Sequence, residues 1–330
     1  MSETNEKQRI IFRVVTIALI IIFLVSTALL LIGIWEKKQG FFPTHEIEET
    51  YMEYDGEKYV LKDGVENYLV LGLDKFSGTA VKDSYNNDQQ ADFLMLLVVD
   101  NNSKKYTALH INRDTMLNIN VLGVAGQTID TVTGQVALAH TYGNGKEVSC
   151  RNTADAVSEL LHGVKISNYI SFTMDSVPII NDLVGGVEVE VLDDFSGVDN
   201  TLVKGETVTL MGEHALNYVR TRYGLEDSTN NTRMKRQKQY IEAFYKKAID
   251  MMKNDEEFIV NASLKMSDYI VSNRSVTQLQ ELSEKFAEYK YEGVLSMEGE
   301  TVTGEKFIEF YPDPDSIKEI VIDLFYKPKD

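Results

Sequence analysis

The feature that most constrains this chain is an uncharged apolar run near the N-terminus. Val14–Trp35 reads VVTIALIIIFLVSTALLLIGIW, 22 residues without a charged side chain. As an α-helix the run would be about 33 Å long, enough for the ~30 Å hydrocarbon core of a bilayer. A cleaved signal peptide has a shorter apolar region of ~7–15 residues, and a core helix would have a polar face. The run therefore predicts a retained membrane anchor.

The residues around this run predict the organisation of the chain. Basic residues stand on both sides, Lys7, Arg9 and Arg13 before it and Lys37 and Lys38 after it, and by a small margin they favour a cytoplasmic N-terminus. We therefore predict a cytoplasmic segment over 1–13, a transmembrane anchor over 14–35, a stalk or irregular segment over 36–66, and an extracytoplasmic domain over 67–330.

Charge and cysteine content exclude several classes of function. A net charge of −18 argues against a nucleic-acid partner, because phosphate backbones require a basic face. The single cysteine, Cys150, allows no intrachain disulfide and no CxxC metal site, and it has no evident histidine partner in the sequence. The five histidines lack HExxH or HxH spacing, and no GxSxG motif or P-loop occurs. No nucleophile therefore stands out.

Strand and helix patterns alternate from Tyr68 onward. YLVLGLD and DFLMLLVVD fit buried strands, and the turn residues of DNNSKK followed by KYTALHIN predict a hairpin. RMKRQKQYIEAFYKKAIDMM has the periodicity of a long amphipathic helix. Such a mixture predicts a layered α/β domain with helices on both faces of a central sheet.

One segment of this acidic chain is rich in cations. Between Arg220 and Lys247 there are eight basic and three acidic residues, so local acids are too few to pair with them all. Arg233, Arg236, Gln237 and Tyr240 follow i, i+3, i+4, i+7 spacing and share one helix face. Two interpretations remain open: an anion site near a helix N-terminus, or a basic surface face paired with acids from elsewhere in the chain.

Three more charged residues lie at predicted strand ends. Asp74 ends the first strand, Asp92 opens the second, and Arg113 ends the third. The two carboxylates are suitable ligands for Mg²⁺, and the arginine is suited to phosphate. Alternatively, the aspartates are solvated strand-end residues and Arg113 forms a salt bridge, for example with Asp114.

Four sequence blocks follow the apolar run in a fixed order: YLVLGLD, ADFLMLLVVDNNSKKYTALHINRDT, IINDLVGGVEVEV, and LMGEHALNYVRTR with RMKRQKQYI. In content and order they resemble the LytR–CpsA–Psr family. The resemblance implies an α/β/α sandwich with a central mixed sheet, an apolar pocket for a lipid tail and an N-terminal transmembrane helix. It also implies a single-pass protein of the cell membrane whose catalytic domain is extracellular.

The activity implied by the resemblance is Mg²⁺-dependent phosphotransfer. A phosphorylated glycan, such as teichoic acid or capsular polysaccharide, moves from a polyprenyl-pyrophosphate lipid to peptidoglycan. A peptidoglycan hydroxyl attacks the glycan-linked phosphorus, and Mg²⁺ and arginines balance the charge of the departing lipid phosphate. The alternative is a non-catalytic envelope protein that binds polyprenyl-phosphate lipids. A transcriptional regulator is a further rival, against which the membrane span and the acidity argue.

The resemblance assigns roles to individual positions. Asp74 and Asp92 match the Mg²⁺-associated aspartates, and either takes the hydroxyl proton. Arg113 matches the arginine of the family's PRDT motif, so these three residues are the predicted catalytic set. Arg113 and the C-terminal block are predicted to bind the pyrophosphate, the block comprising Arg220, Arg222, Arg233, Arg236 and Gln237.

Several positions depart from the family pattern. The usual SDT is Ala91-Asp92-Phe93 here, which removes two hydroxyls beside the predicted metal site. Asn112 replaces the proline before RDT, and Asn230 stands where aspartate is usual. The KINxAY block appears as QVALAH. The arginines are retained, but residues around the predicted phosphate site differ from the family pattern. These differences predict a different glycan or weaker transfer.

Overall fold

The structure is a computed structural model that describes residues 51–75, 85–222, 224–225, 230–255 and 257–329. The chain separates into two units, Met1–Met52 and Glu53–Asp330, and the second is described below. The predicted anchor at Val14–Trp35 lies outside the described residues. Within the described ranges, no helix has the length and apolar character needed to cross a membrane.

The strands in the described part of the chain are β1 Tyr51–Tyr54, β2 Glu57–Leu61, β3 Val65–Lys75, β4 Gln89–Asp100, β5 Lys105–Ile111, β6 Met116–Leu122, β7 Thr128–Gln135, β8 Asn168–Thr173, β9 Val187–Glu190, β10 Thr207–Leu210, β11 Ile270–Ser272, β12 Lys290–Ser296, β13 Gly299–Thr303, β14 Ile308–Pro312 and β15 Tyr326–Pro328. The α-helices are α1 Glu147–Leu160, α2 Val177–Leu183, α3 Glu213–Arg220, α4 Asn230–Asn254, α5 Phe258–Met266, α6 Val276–Glu288 and α7 Pro314–Phe325. Short 3₁₀ helices span Val136–Thr141 and Met174–Ser176.

A six-stranded mixed sheet forms the centre of the domain, in the order β11-β8-β3-β4-β5-β12. The β3–β8 and β5–β12 pairs are parallel, and the β3–β4, β4–β5 and β8–β11 pairs are antiparallel. The predicted hairpin is therefore confirmed as β4–β5, with Leu96 opposite Leu109. The predicted α/β fold with a central mixed sheet is confirmed as well.

Strand alternation explains why elements cover both faces of this sheet. Val70, Met95 and Ala108 line a cavity together with residues of α4. Their neighbours Leu69, Leu96 and Leu109 are fully buried, and successive strand residues point to opposite faces. On that second face the Val136–Thr141 turn packs on β4 and α1 packs on β8. The central strands thus read as continuous apolar runs because neither face meets water.

The start of the domain differs from the prediction. The segment predicted as a stalk, 36–66, contains β1 and β2 within its described part. The turn between these strands is Asp55-Gly56, and both residues have positive φ, 49° and 79°. Asp-Gly between alternating residues is a hairpin signal that the acidic composition of the segment obscured. β2 then pairs with β15 near the C-terminus, with Tyr326 opposite Leu61.

Cys150 has a histidine neighbour that the sequence did not reveal. Its Sγ lies 3.8 Å from His140 Nε2 and donates to Ser171 Oγ at 3.3 Å. Burial raises the pKa of the Cys150 thiol to about 11 and lowers the pKa of His140 to about 4. Both groups are therefore neutral at physiological pH. The pair is enclosed in the core and is not an activated nucleophile.

Candidate active site

A β-bulge positions Asp92. On β3, Gly72 pairs with Phe93 and the next residue, Leu73, pairs with Ala91. Asp92 is therefore the extra residue of β4, and bulges of this kind re-aim a side chain. Gly72 allows the close approach, because a Cβ at this position would lie 2.9 Å from the Cβ of Phe93. The departures Ala91 and Phe93 thus flank the bulge, and both are buried.

Two arginines hold the carboxylate of Asp92. Arg113 Nη1 lies 2.5 Å from Asp92 Oδ1, and Arg233 Nη1 lies 3.4 Å from Oδ2. Arg113 lies two residues beyond the end of β5, and Arg233 lies in the first turn of α4. Burial lowers the pKa of Arg233 to about 10, although Asp92 opposes this shift. Arg233 therefore remains charged at neutral pH, and the structure brings three predicted site residues together.

Asp114 is a site residue that the sequence identified only as a possible salt-bridge partner. Its Oδ1 lies 3.4 Å from Arg113 Nε, its Oδ2 lies 3.8 Å from Arg222 Nη1, and Oδ1 accepts a hydrogen bond from Gln135 Nε2 at 2.8 Å. Burial raises the pKa of Asp114, and the three nearby arginines Arg113, Arg222 and Arg233 counteract that rise. The only sequence signal for Asp114 was its position directly after Arg113.

Asp74 and Arg220 form a second pair at the end of β3. Arg220 Nε donates to Asp74 Oδ2 at 2.7 Å, and Nη2 donates to Oδ1 at 2.6 Å. The pair is bidentate, which fixes the geometry of both side chains. Asp74 lies opposite Gln90 on β4, two residues before Asp92, so the predicted metal ligands sit on neighbouring strands. Arg220 is the most exposed arginine of the site, with 44% of its side chain accessible.

Arg236 is enclosed by protein. It is fully buried, and its Nε donates to Tyr218 O at 2.9 Å. Its two terminal nitrogens contact the carboxylate of Asp193 and the carbonyl of Thr221. These contacts connect α4 to the end of α3, the segment that carries Arg220 and Arg222. The predicted role of Arg236 as a pyrophosphate ligand stays a prediction, and its contacts favour a supporting role.

Gln237 and His110 lie beside the arginines. Gln237 Nε2 donates to Val219 O at 3.1 Å, and the Gln237 side chain acts on His110 to oppose the fall of its pKa. Burial, reinforced by the charge of Arg233, lowers the pKa of His110 to about 3. This histidine is therefore neutral in the folded protein across the physiological pH range.

The depressed pKa of His110 makes folding pH-dependent. A histidine whose pKa is lower in the folded state contributes stability that is complete above its unfolded pKa of ~6.5 and is lost as pH falls. Between pH 7.5 and 5.5 we expect a loss of about 1.4 kcal/mol from each such histidine, and His140 has the same sign. Urea unfolding of the His110→Gln protein should show a shallower pH dependence than wild type. An unchanged slope in His110→Gln would contradict the assignment.

An apolar cavity extends from the polar cluster, between the sheet and helices α2, α4 and α6. Its volume is about 310 Å³. Gln237 and Met252 both line it, and the helix between them is ~22 Å long at 1.5 Å per residue. The other lining residues are almost all apolar: Val70, Phe93, Met95, Leu97, Tyr106, Ala108, Phe172, Met174, Val177, Ile180, Val219, Tyr240, Ile241, Phe244, Tyr245, Ala248, Phe286 and Tyr291.

Three lining residues connect the cavity to the charged groups. Phe93 lines the cavity and follows Asp92, while Val219 lines it and precedes Arg220. Gln237 lines it one helical turn after Arg233. The arrangement suits an amphiphile with a long apolar chain and an anionic head group, because the apolar part is buried while arginines meet the charge.

The donor set at the two predicted metal ligands is consistent with Mg²⁺. Both are carboxylates, and Mg²⁺ sites in proteins often use one or two carboxylates together with water and substrate phosphates. Among the described residues there is no cluster of three or more His, Cys, Asp or Glu side chains that could hold a metal. A Mg²⁺ ion at Asp74 and Asp92 would therefore have no third carboxylate, histidine or cysteine ligand among these residues.

The fold, the arginine–aspartate cluster and the apolar cavity define one family. The LytR_cpsA_psr family model matches residues 40–320, and the chain belongs to this family. The chain is 25% identical over 307 residues to biofilm regulatory protein A of Streptococcus mutans. The aligned region covers 89% of this chain and 72% of that relative.

Further relatives carry names that describe an activity. The polyisoprenyl-teichoic acid–peptidoglycan teichoic acid transferase TagU of Oceanobacillus iheyensis is 30% identical over 199 residues, covering 60% of this chain and 53% of the relative. The corresponding TagV of Bacillus subtilis is 28% identical over 261 residues, 75% of this chain and 60% of the relative. The chain thus spans little more than half the length of these two transferases.

Solved structures share the fold. The crystal structure of B. subtilis TagV superposes with a TM-score of 0.58 at 22% identity and covers 80% of this chain and 96% of that chain. The structure of TagT bound to LI-WTA gives a TM-score of 0.58 at 20% identity, covering 84% and 94%.

Proposed function

We propose that this chain is a membrane-anchored phosphotransferase that moves a phosphorylated glycan from a polyprenyl-pyrophosphate lipid to peptidoglycan. The observation that carries the proposal is the arginine–aspartate cluster at the end of a long apolar cavity. The names of the relatives TagU and TagV support it. The anchor is Val14–Trp35, and the globular domain lies outside the cell.

In the proposed reaction the polyprenyl chain occupies the apolar cavity. An acceptor hydroxyl attacks the glycan-linked phosphorus, the bond from this phosphorus to the bridging oxygen breaks, and the lipid phosphate leaves with the electron pair. Asp74 or Asp92 takes the hydroxyl proton. Arg113, Arg220, Arg222, Arg233 and Gln237 bind the pyrophosphate and neutralise the charge that develops on the leaving group.

We further propose that Asp74 and Asp92 hold Mg²⁺. When bound, the ion would neutralise phosphate charge. The carboxylates now paired with Arg113, Arg220 and Arg233 are the groups that would ligate it. These arginines would then be available to the phosphates, since each guanidinium carries several donors.

A transfer assay tests the proposal. The full chain in detergent is incubated with lipid-linked glycan, peptidoglycan and Mg²⁺, and the glycan on peptidoglycan is measured. We expect transfer by wild type and none by the Asp92→Ala/Arg113→Ala double variant. Transfer that survives in this variant would refute the site. A wild-type protein that binds the lipid without transfer would establish the non-catalytic alternative.

The cavity predicts a dependence on lipid length. Ala248 lines the cavity 11 positions beyond Gln237 on α4, about 16 Å along the helix. Ala248→Phe should raise KM about tenfold or more for a long-chain donor, because the added ring occupies space that the chain needs. A donor with a short lipid should be unaffected. Ala125→Phe, in an exposed turn, serves as the matched control. Equal KM changes for both donors would place the lipid elsewhere.

A further inference from the structure

A second cavity lies between α4 and the strands near the C-terminus, β12 and β14. Its volume is about 300 Å³, at the lower end of the ~300–1,000 Å³ typical of small-molecule sites. It shares no lining residue with the apolar cavity. His110 and Asn112 line it, so it lies directly beside the reaction site at Arg113.

Two lysines make this cavity cationic. Lys235 and Lys238 stand one helical turn apart on α4, and both line the cavity and are exposed. Lys238 Nζ donates to Val294 O at 3.2 Å. Within the described part of the chain, neither lysine forms an ion pair with a carboxylate, although the whole chain has a net charge of −18. Both ammonium groups are available to an anion.

Asn112 supplies a buried hydrogen-bond donor. It is 6% exposed, and its Oδ1 accepts from Asn230 Nδ2 at 2.6 Å and from the Asp114 amide at 3.0 Å. The second contact fixes the amide orientation, because a backbone N–H only donates. Among the described residues, the Nδ2 group makes only a long contact of 3.5 Å, to Asn231 Oδ1. An NH₂ group carries two donors, so this one has capacity for a ligand.

The rest of the wall is mixed. Ser296 offers a hydroxyl, while Met234, Val294, Met297 and Phe310 offer apolar surface. Apolar surface packs on the C–H faces of a sugar ring by dispersion, and hydroxyl and amide groups match ring substituents. Two ammonium groups add a preference for a negative charge. A purely apolar or an uncharged polar ligand would leave part of this lining unmatched.

We propose that this cavity binds a sugar unit that carries a carboxylate or a phosphate, and that it seats a saccharide next to Arg113 during transfer. The proposal rests on the proposed function, because the transfer reaction determines which saccharides reach the cavity. In the proposed reaction a phosphate-bearing sugar belongs to the donor glycan. The shared chemistry is an anion on a sugar ring, met by Lys235, Lys238 and Asn112.

Calorimetric titration of the full chain in detergent tests this site. The probes are N-acetylmuramic acid, N-acetylglucosamine 6-phosphate and neutral N-acetylglucosamine. We expect at least one anionic sugar to bind about tenfold or more tightly than the neutral sugar, and the Lys235→Gln/Lys238→Gln variant to lose that advantage. Tighter binding of the phosphate sugar assigns the cavity to a phosphorylated unit of the donor glycan, and tighter binding of the carboxylate sugar assigns it to a carboxylate-bearing unit.

A matched variant controls for net charge. Lys246→Gln/Lys253→Gln removes two exposed charges from the same helix away from the cavity and should bind the anionic sugars like wild type. Equal affinity for charged and neutral sugars, or unchanged binding by Lys235→Gln/Lys238→Gln, would overturn the proposal. The transfer assay is run in parallel. Absent wild-type transfer argues against the proposed function alone, whereas normal transfer with no selective sugar binding argues against this cavity alone.

Discussion

Asp92→Asn should reduce the rate of glycan transfer by about 10²–10⁴-fold, the range associated with a positioned acid or base. The amide keeps the shape of the side chain but removes the charge that lies between Arg113 and Arg233, at 2.5 and 3.4 Å. It also removes one of the two carboxylates proposed to hold Mg²⁺. The rate is measured with lipid-linked glycan and peptidoglycan, and lipid binding is measured on the same preparation.

Two comparisons sharpen this result. Asp323→Asn, at an exposed position of α7, makes the same chemical change away from the site and should transfer at the wild-type rate. Asp74→Asn tests the other carboxylate, and the variant that abolishes the acidic limb of the pH–rate dependence, where activity falls as the base becomes protonated, identifies the proton acceptor. An Asp92→Asn protein that transfers within a few-fold of wild type would remove Asp92 from the mechanism.

Arg236→Met should lower the free energy of unfolding by about 3–5 kcal/mol, the usual cost of removing one partner of a buried ion pair. The substitution leaves the carboxylate of Asp193 and the carbonyls of Tyr218 and Thr221 without their guanidinium donors. It also removes the ring contacts of Arg236 with Phe195 and Tyr218. Urea unfolding measures the loss, and transfer should fall because Arg220 and Arg222 lose their support.

The same experiment separates a supporting role from a ligand role. If Arg236 contacts the pyrophosphate, Arg236→Met should weaken lipid pyrophosphate binding while the unfolding free energy stays within ~0.5 kcal/mol of wild type, as surface changes usually do. Arg151→Met, an exposed arginine of α1, is the control for loss of a charge alone. Wild-type stability in Arg236→Met would contradict the arrangement described above.

The buried face of α4 was predictable because residues three or four positions apart lie on the same face of a helix. Arg233, Arg236, Gln237 and Tyr240 were assigned to one face from their spacing, and all four are buried in the structure. The central strands were also predictable, because long apolar runs indicate strands that are buried on both faces of a sheet. The first hairpin was missed, although Asp55-Gly56 is a local signal, because the surrounding acidic composition resembled a stalk.

The roles of the arginines were not predictable from local sequence. Counting charges around Arg220–Lys247 showed that local acids are too few, and it left open whether a ligand or distant acids complete the pairing. The structure brings in Asp74, Asp92, Asp114 and Asp193 from other elements. Arg233 and Arg236 are both arginines on the same face of α4. The guanidinium of Arg236 is nevertheless enclosed by other protein groups, whereas that of Arg233 contacts Asp92.

The sequence by itself determined the membrane-span prediction and the strand and helix periods, since each depends on neighbours along the chain. The tertiary structure decided which acid meets which arginine, because folding brings Asp74 on β3 within hydrogen-bond distance of Arg220 at the end of α3, 146 positions away. It also decided the direction of Asp92, because the bulge at this residue depends on how β4 pairs with β3. Pairing across such separations is fixed by backbone hydrogen bonding and packing.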